Sequence, residues 1–493
     1  METQAYLSTG GSVNLVVLEA QQVRNFPLHA SSRWTIGRST PVSSSDIPLE
    51  SAIVGRQHGE FVGIDGTWYY IDKGSINGTY LNGEKIQNQP KCASEPKLLK
   101  NGDILRIDSE DLNAPDNRGV WMMFTTDSIG NMWNSVPLDG KKEIFIGRDA
   151  SLCDIVFPFS YISAKHACIG FANGHYFITD CGSLAGTWLN GKRIEHGEIL
   201  REKDEIRLCD CNLIFTGNAL IYNVKEQKKD AKYQQGKVIL QADIETKKVG
   251  KGRHQKEIIR DIHINVKEGS LVALLGGSGA GKTTIMNCMN GMETAGVEGR
   301  VLFKGVDLVT NFKQMQSLIG SVPQENVFHE IETVENELRH RAKLLLPRDT
   351  KKSELEERID KTLQSLNLSH VRKNRISKCS GGEQKRVNVA MELVGDKQFL
   401  CLDEPDAGLD PANKKELFLI LQKLAHEEGK IILVIIHDVS DIDLFDQVIM
   451  MAKVDNVGRL AISASPSEVR ERFKEDIKSI YTTLDKNPKK YVK

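Results

Sequence analysis

The sequence predicts two small all-β sandwiches followed by a larger α/β domain built on a parallel sheet. Three observations carry this. A set of short motifs occurs twice, about 110 residues apart, which is too long for a solenoid repeat and right for a duplicated domain. Within each copy, short alternating runs such as VWMMFTT, HYFITD, EIRLC and LIFTG are separated by Gly, Asn and Asp turns. Beyond a charged stretch at 224–237, VKEQKKDAKYQQGK, apolar strands alternate with helical patterns.

The duplicated part reads WTIGRSTPVSSSDIPLESAIVGRQHGEF and then WYYIDKGSINGTYLNGEKI in its first copy. The second reads EIFIGRDASLCDIVFPFSYISAKHACIGF and then HYFITDCGSLAGTWLNGKRI. Shared elements are Ile-Gly-Arg, Asp-Ile, a histidine leading an apolar strand, and Gly-Ser-x-x-Gly-Thr-x-Leu-Asn-Gly.

In the third region the apolar strand LVALL, Leu271–Leu275, runs into Gly276, Gly277, Ser278, Gly279, Ala280, Gly281, Lys282, Thr283 and Thr284. Strand, glycine loop and helix start make a P-loop, in which backbone N–H groups wrap a phosphate at a helix N-terminus. Lys282 is placed to reach the β- and γ-phosphates, and the Thr283 hydroxyl to bind Mg²⁺.

Four later elements narrow the reading. Gln324 follows a short strand. Cys379-Ser380-Gly381-Gly382-Glu383-Gln384 opens a helix. Phe399–Glu404 is an apolar strand ending in Asp403 and Glu404, where ligands sit in α/β sheets. Ile431–His437 is another apolar strand ending in a histidine. Each alone has an ordinary explanation: a loop glutamine, a helix cap, a solvated acidic pair, a strand-end histidine. Their order excludes coincidence.

Residues about 236–480 thus resemble the nucleotide-binding domain of ABC transporters, a P-loop NTPase domain with a helical subdomain. The resemblance implies Walker A at Gly276–Thr284, a Q-loop glutamine at Gln324 and a signature motif at Ser380–Glu383. It implies Walker B carboxylates at Asp403 and Glu404, a D-loop at Gly408–Asp410 and a switch histidine at His437. Lys385 and Arg386 after Ser-Gly-Gly-Glu, and the run TVENELRHRAKLLLP at 333–347, are similar to the subfamily G, or white-type, branch. The implied cofactors are ATP and Mg²⁺. Thr283 and Gln324 would hold the metal directly, and Asp403 through water. Glu404 would activate the attacking water, with His437 stabilising the transition state. In the family two such domains pack head to tail, so Ser380 and Gly382 of one close on ATP bound to the other. One departure stands out: from Tyr233 to Walker A there is no Phe, Tyr or Trp to stack on adenine, leaving aliphatic residues or His254.

The duplicated modules, at about 12–125 and 126–222, resemble FHA domains, β-sandwiches whose loops read phosphothreonine. Arg38, Arg56 and Asn77 stand at ligand-binding positions of the first copy, and Arg148 and Ser163 at those of the second. His58 is expected to hold loops together, and His166 matches it. Gly55 replaces a phosphate-contacting serine, Ala164 a basic or amide residue, and Ala185 the backbone-binding asparagine. Each pocket therefore lacks something the other has.

The expected organisation is an FHA domain at 12–125, a second at 126–222, a linker at 223–235, the ABC ATPase domain at 236–480 and a basic tail at 481–493. Lys plus Arg (65) balances Asp plus Glu (66), which argues against nucleic acid as a partner. The nine cysteines lack metal-site spacing and are read as free thiols. The N-terminus is not a signal peptide and no apolar run reaches the roughly 18 residues of a membrane helix. The resulting expectation is the ATPase half of an exporter, cytoplasmic and held at the membrane's inner face by a permease. A homodimeric cassette and a phosphothreonine protein complete its partners, as in bacterial half-transporters with this domain order. The alternative is a soluble ABC ATPase serving as a phosphorylation-dependent scaffold.

Overall fold

The computed structural model describes residues 13–492 except 20–21, 29–32, 40–44, 65–66, 82–83, 87–90, 100–102, 108–118, 126–132, 139–142, 202–203, 216, 218, 224–237, 251–254 and 485. The expected linker at 223–235 thus lies outside the described residues, save Asn223 at a strand end, and so does His254. The chain forms two compact units, residues 1–137 with 218–227, and residues 138–217 with 228–493.

The first unit holds a β-sandwich. One sheet runs, in spatial order, 22–28, 13–19, 120–125, 104–107, 80–81 and 84–85; the other runs 47–49, 33–38, 59–64, 67–72 and 97–99. Alternation in TWYYID buries Trp68, Tyr70 and Asp72 on one face. Leu15, Val17, Ile36, Phe61, Tyr70, Leu105 and Phe124 fill the space between the sheets. Trp133–Pro137 pairs antiparallel with Ala219–Asn223.

The second unit opens with the other sandwich. One sheet orders as 155–156, 144–147, 167–172, 175–180 and 198–199, and strands 211–215, 205–208, 188–189 and 192–193 lie in the facing one. Behind it comes the α/β domain. Its helices are α1 Lys282–Met289, α2 Leu308–Met315, α3 Val334–Leu345, α4 Lys352–Ser365, α5 Gly381–Leu393, α6 Pro411–Glu428, α7 Pro466–Phe473 and α8 Ile477–Leu484.

A ten-stranded sheet carries them, ordered 306–307, 297–303, 238–249, 256–267, 457–464, 447–454, 271–276, 431–435, 399–403 and 319–322. The strands at 447–454, 271–276, 431–435, 399–403 and 319–322 are mutually parallel. Helices cover both faces there, so LVALLG and IILVI are wholly buried rather than alternating. Helices α3, α4 and α5 pack together through Leu338, Ala342, Ile359, Leu363, Val387 and Ala390, forming the helical arm.

The C-terminus departs from expectation. Of the expected basic tail at 481–493, the described residues 481–484 and 486–492 continue the fold. Helix α8 runs through 481–484, and Tyr491 is 2% exposed with its ring edge-on to Phe473. Ile477, Ile480 and Leu484 bury the apolar face of α8 in the same core, and a spacing of three to four residues is what does it.

Candidate functional site

The strand Leu271–Gly276 ends at a loop that only glycine can build at two points. Gly276 has φ +154, and a Cβ there would lie 2.5 Å from the Met451 carbonyl oxygen. Gly281 has φ +87 as it caps α1, and its Cβ would meet Ile259 Cγ2 at 2.6 Å. Ser278 and Gly279 are exposed, Ala280 is buried beneath them, and Thr283 is exposed in the first turn of α1. Lys282 Nζ donates to the carbonyls of Gly276 (2.8 Å) and Gly277 (3.1 Å).

The tips of three parallel strands meet in one hydrogen-bonded group. Glu404 Oε2 accepts from Gln324 Nε2 at 2.8 Å, and His437 Nε2 lies 2.5 Å from Glu404 Oε1. Adjacency of strands 319–322, 399–403 and 431–435 makes this possible, because all end at the same edge. Glu404 sits at φ +48, in the left-handed region, which turns its carboxylate toward the other two residues. Beside it, burial raises the Asp403 pKa, and the Glu404 charge raises it further.

Ser380 caps α5 in a capping box: its Oγ accepts from the Glu383 amide at 3.3 Å, and Glu383 accepts from the Ser380 amide at 2.7 Å. The Glu383 carboxylate also bonds His370 at 2.8 Å. A Cβ on Gly381 would meet nothing within 4 Å, leaving its backbone open to approach, whereas Gly382 lies against Asn413. Asp410 caps α6, accepting from the amides of Ala412 and Asn413 at 3.0 Å each. Lys385, named in the sequence only as half of a basic pair, donates to the Gln324 carbonyl at 2.9 Å and so ties α5 to the glutamine. Only the tertiary fold reveals that tie.

ATP and Mg²⁺ suit these residues. Gly276 and Gly281 let the loop backbone wrap tightly against Met451 and Ile259, where a side chain would clash. Thr283 supplies a hydroxyl and Asp403 a carboxylate. Gln324 spends its amide nitrogen on Glu404, leaving its oxygen, and hard oxygen donors are what Mg²⁺ takes. Among the described residues no cluster of three His, Cys, Asp or Glu forms an all-protein metal cage.

In the first sandwich Arg38 Nη1 donates to the Ala52 carbonyl (3.0 Å) and Asn77 Nδ2 to the Ile53 carbonyl (2.7 Å), while Arg56 is exposed. His58 is fully buried, its Nδ1 accepting from the Gly55 amide at 3.0 Å, and burial lowers its pKa. It holds the loop rather than facing solvent. In the second sandwich His166 does the same, bonding the Ser163 amide (3.3 Å) and the Gly186 carbonyl (3.2 Å). Ser163 is 4% exposed and its Oγ accepts from the Leu184 amide at 3.4 Å. Arg148 bonds the Ile162 carbonyl through Nε at 3.0 Å and Glu354 of α4 through Nη1 at 2.9 Å.

A phosphate loop feeding a helix, a histidine ending the neighbouring strand and carboxylates ending the next define an ABC-type ATPase. Comparison with known proteins agrees. Residues 259–407 match the ABC transporter family, and residues 34–108 and 144–209 each match the FHA domain. These segments give the chain the domain content of an ABC transporter ATP-binding protein with FHA domains.

It is 32% identical over 327 residues to the ABC transporter ATP-binding/permease protein Rv1747 of Mycobacterium tuberculosis, covering 66% of this chain and 36% of that one. It is 32% identical over 270 residues to ABC transporter G family member 28 of Arabidopsis thaliana, covering 53% of this chain and 23% of that one. The chain thus spans about a third or less of the length of these relatives. Among solved structures, cbiO1 from Clostridium perfringens, part of the ABC transporter complex cbiONQ, matches at 26% identity and a TM-score of 0.42, over 50% of this chain and 94% of that one. No helix among the described residues is long and apolar enough to cross a membrane.

Proposed function

We propose that the chain is the ATP-hydrolysing motor of an exporter, working as a pair of cassettes joined to a permease. The organisation is FHA modules at 12–125 and 126–222 ahead of a cassette at 236–480. The observation that carries the reading is the Gln324–Glu404–His437 group at the strand edge beside Asp403. Glu404 takes a proton from the attacking water, an acceptor-only carboxylate held by two donors. His437 donates to charge building on the γ-phosphate. Thr283 and Gln324 would hold Mg²⁺ and Asp403 would reach it through water, and the metal would supply charge neutralisation at the phosphates. Ser380 and Gly382 have an open backbone neighbour in Gly381, which suits closure on a partner's ATP.

In the first FHA module Arg38, Arg56 and Asn77 bind a phosphothreonine protein; in the second, Arg148 and Ser163 belong to the corresponding face. ATP turnover is thereby coupled to a phosphorylation signal. Localisation follows the permease, at the inner face of a membrane.

The test uses the Glu404→Gln chain. With ATP and Mg²⁺ it is expected to elute as a dimer, and to bring down a permease from membranes of its own cell. A chain that stays monomeric with saturating ATP defeats the paired motor. ATPase activity unaltered by any co-purified membrane protein would favour the phosphorylation-dependent scaffold.

A further inference from the structure

The two FHA-like modules differ in what their arginines meet. Arg38 turns into its own loop at Ala52, whereas Arg148 reaches out of its module to the helical arm. Its Nη1 bonds Glu354 at 2.9 Å, its Nη2 lies 3.9 Å from the Asp349 carboxylate, and the Ala164 amide donates to Asp349 at 2.7 Å. Lys351 returns the contact, donating to Asp149 at 3.2 Å. The arginine side chain is left only 16% exposed.

A guanidinium and a backbone N–H are the donors a phosphate needs. A phosphothreonine brings a charge near −2 and three acceptor oxygens. Two carboxylates converging on the same donors bring the same charge and the same kind of acceptor.

We infer that Asp349 and Glu354 are a built-in phosphate mimic: the second module's ligand is the cassette of its own chain, and a phosphothreonine segment competes with it for Arg148 and the Ala164 amide. This rests on reading that module as a phosphothreonine-type domain. The acidic residues lie between α3 and the first turn of α4, and α3 and α4 pack on α5, which Ser380 opens. Displacement therefore frees the arm that carries the signature segment. The module itself stays attached elsewhere, because Lys304 pairs with Asp210 at 2.9 Å and Gln314 bonds the buried Cys209 carbonyl at 3.1 Å.

The full chain tests this in an Arg38→Ala background, which silences the first module. The probe is the peptide of residues 345–353 carrying phosphothreonine in place of Asp349, followed by fluorescence anisotropy. Removing the competitor with Asp349→Asn and Glu354→Gln is expected to tighten binding by about tenfold or more. Adding Arg148→Ala should abolish it. Equal, Arg148-dependent binding by parent and double variant would overturn the mimic while leaving phosphothreonine recognition standing. Binding by neither would remove phosphothreonine recognition from this module. In that case hydrogen exchange decides the contact by itself: the Ala164 amide should be protected in the parent and exchange faster in the double variant, and equal exchange would overturn it.

Discussion

Glu404→Gln separates the chemistry from the architecture, because it keeps side-chain volume and removes a charge. In the parent, the carboxylate accepts from Gln324 at 2.8 Å and contacts His437 at 2.5 Å, with its side chain 23% exposed. A glutamine offers one acceptor oxygen and one donor group to the same two neighbours. The Gln324 contact is kept through the remaining oxygen and the His437 contact loses its charge, at a stability cost of about 1 kcal/mol. The catalytic cost is larger. Losing a positioned general base typically lowers kcat by about 10²–10⁴-fold, roughly 3–5 kcal/mol of barrier. The phosphate loop is built by other residues, so ATP affinity should change little. The assay is phosphate release against ATP concentration with Mg²⁺, alongside equilibrium nucleotide binding. A variant whose kcat stays within about threefold of the parent would refute the assignment of Glu404.

Three other substitutions test the frame around the site. Gly281→Ala forces a Cβ to 2.6 Å from Ile259 Cγ2 at a φ of +87, so it should cost about 1–3 kcal/mol and weaken the stabilisation that ATP confers in a thermal-shift assay. Asp396 is held by Lys430 at 3.2 Å and Arg358 at 3.1 Å, and the Lys430 side chain is 1% exposed, so Asp396→Asn should lose about 3–5 kcal/mol in urea unfolding. Burial alone would raise the Asp396 pKa, but those two cations hold it well below the usual carboxylate range. Its contribution is therefore complete above the unfolded-state pKa of about 4 and is lost as pH falls through the lower folded value, so parent and variant should converge in acid. Tyr491→Ala should cost about 3 kcal/mol if the C-terminal segment belongs to the core, whereas a solvated tail would lose less than about 0.5 kcal/mol.

Much of this site is legible in one dimension because phosphate chemistry imposes local order. A strand, a glycine turn and a helix start must be contiguous to wrap a phosphate, so Gly276–Thr284 announces itself. Asp403 and Glu404, and His437, follow uninterrupted apolar runs, which is what a strand buried on both faces looks like. What brings Gln324, Glu404 and His437 together is strand order, and no spacing in the chain encodes that 319–322, 399–403 and 431–435 are neighbours. The role of Lys385 is hidden for the same reason, since its partner is a backbone carbonyl 61 residues away. The C-terminal segment reads as a solvated tail because its lysines dominate the composition. Lys486 and Lys490 do face solvent, but Tyr491 next to them supplies a buried ring, and that ring rather than the local charge fixes the segment to the core.

Local periodicity, glycine placement and the duplicated motifs are sufficient for the classes of domain and for naming the candidate nucleotide-binding groups. Those features act through backbone geometry within a few residues, so they survive in the bare sequence. Which face of the second sandwich is covered, and by what, is decided by tertiary structure alone. Arg148 and Glu354 lie 206 positions apart, and a charge pair at that separation exists only once two separately patterned domains have packed together.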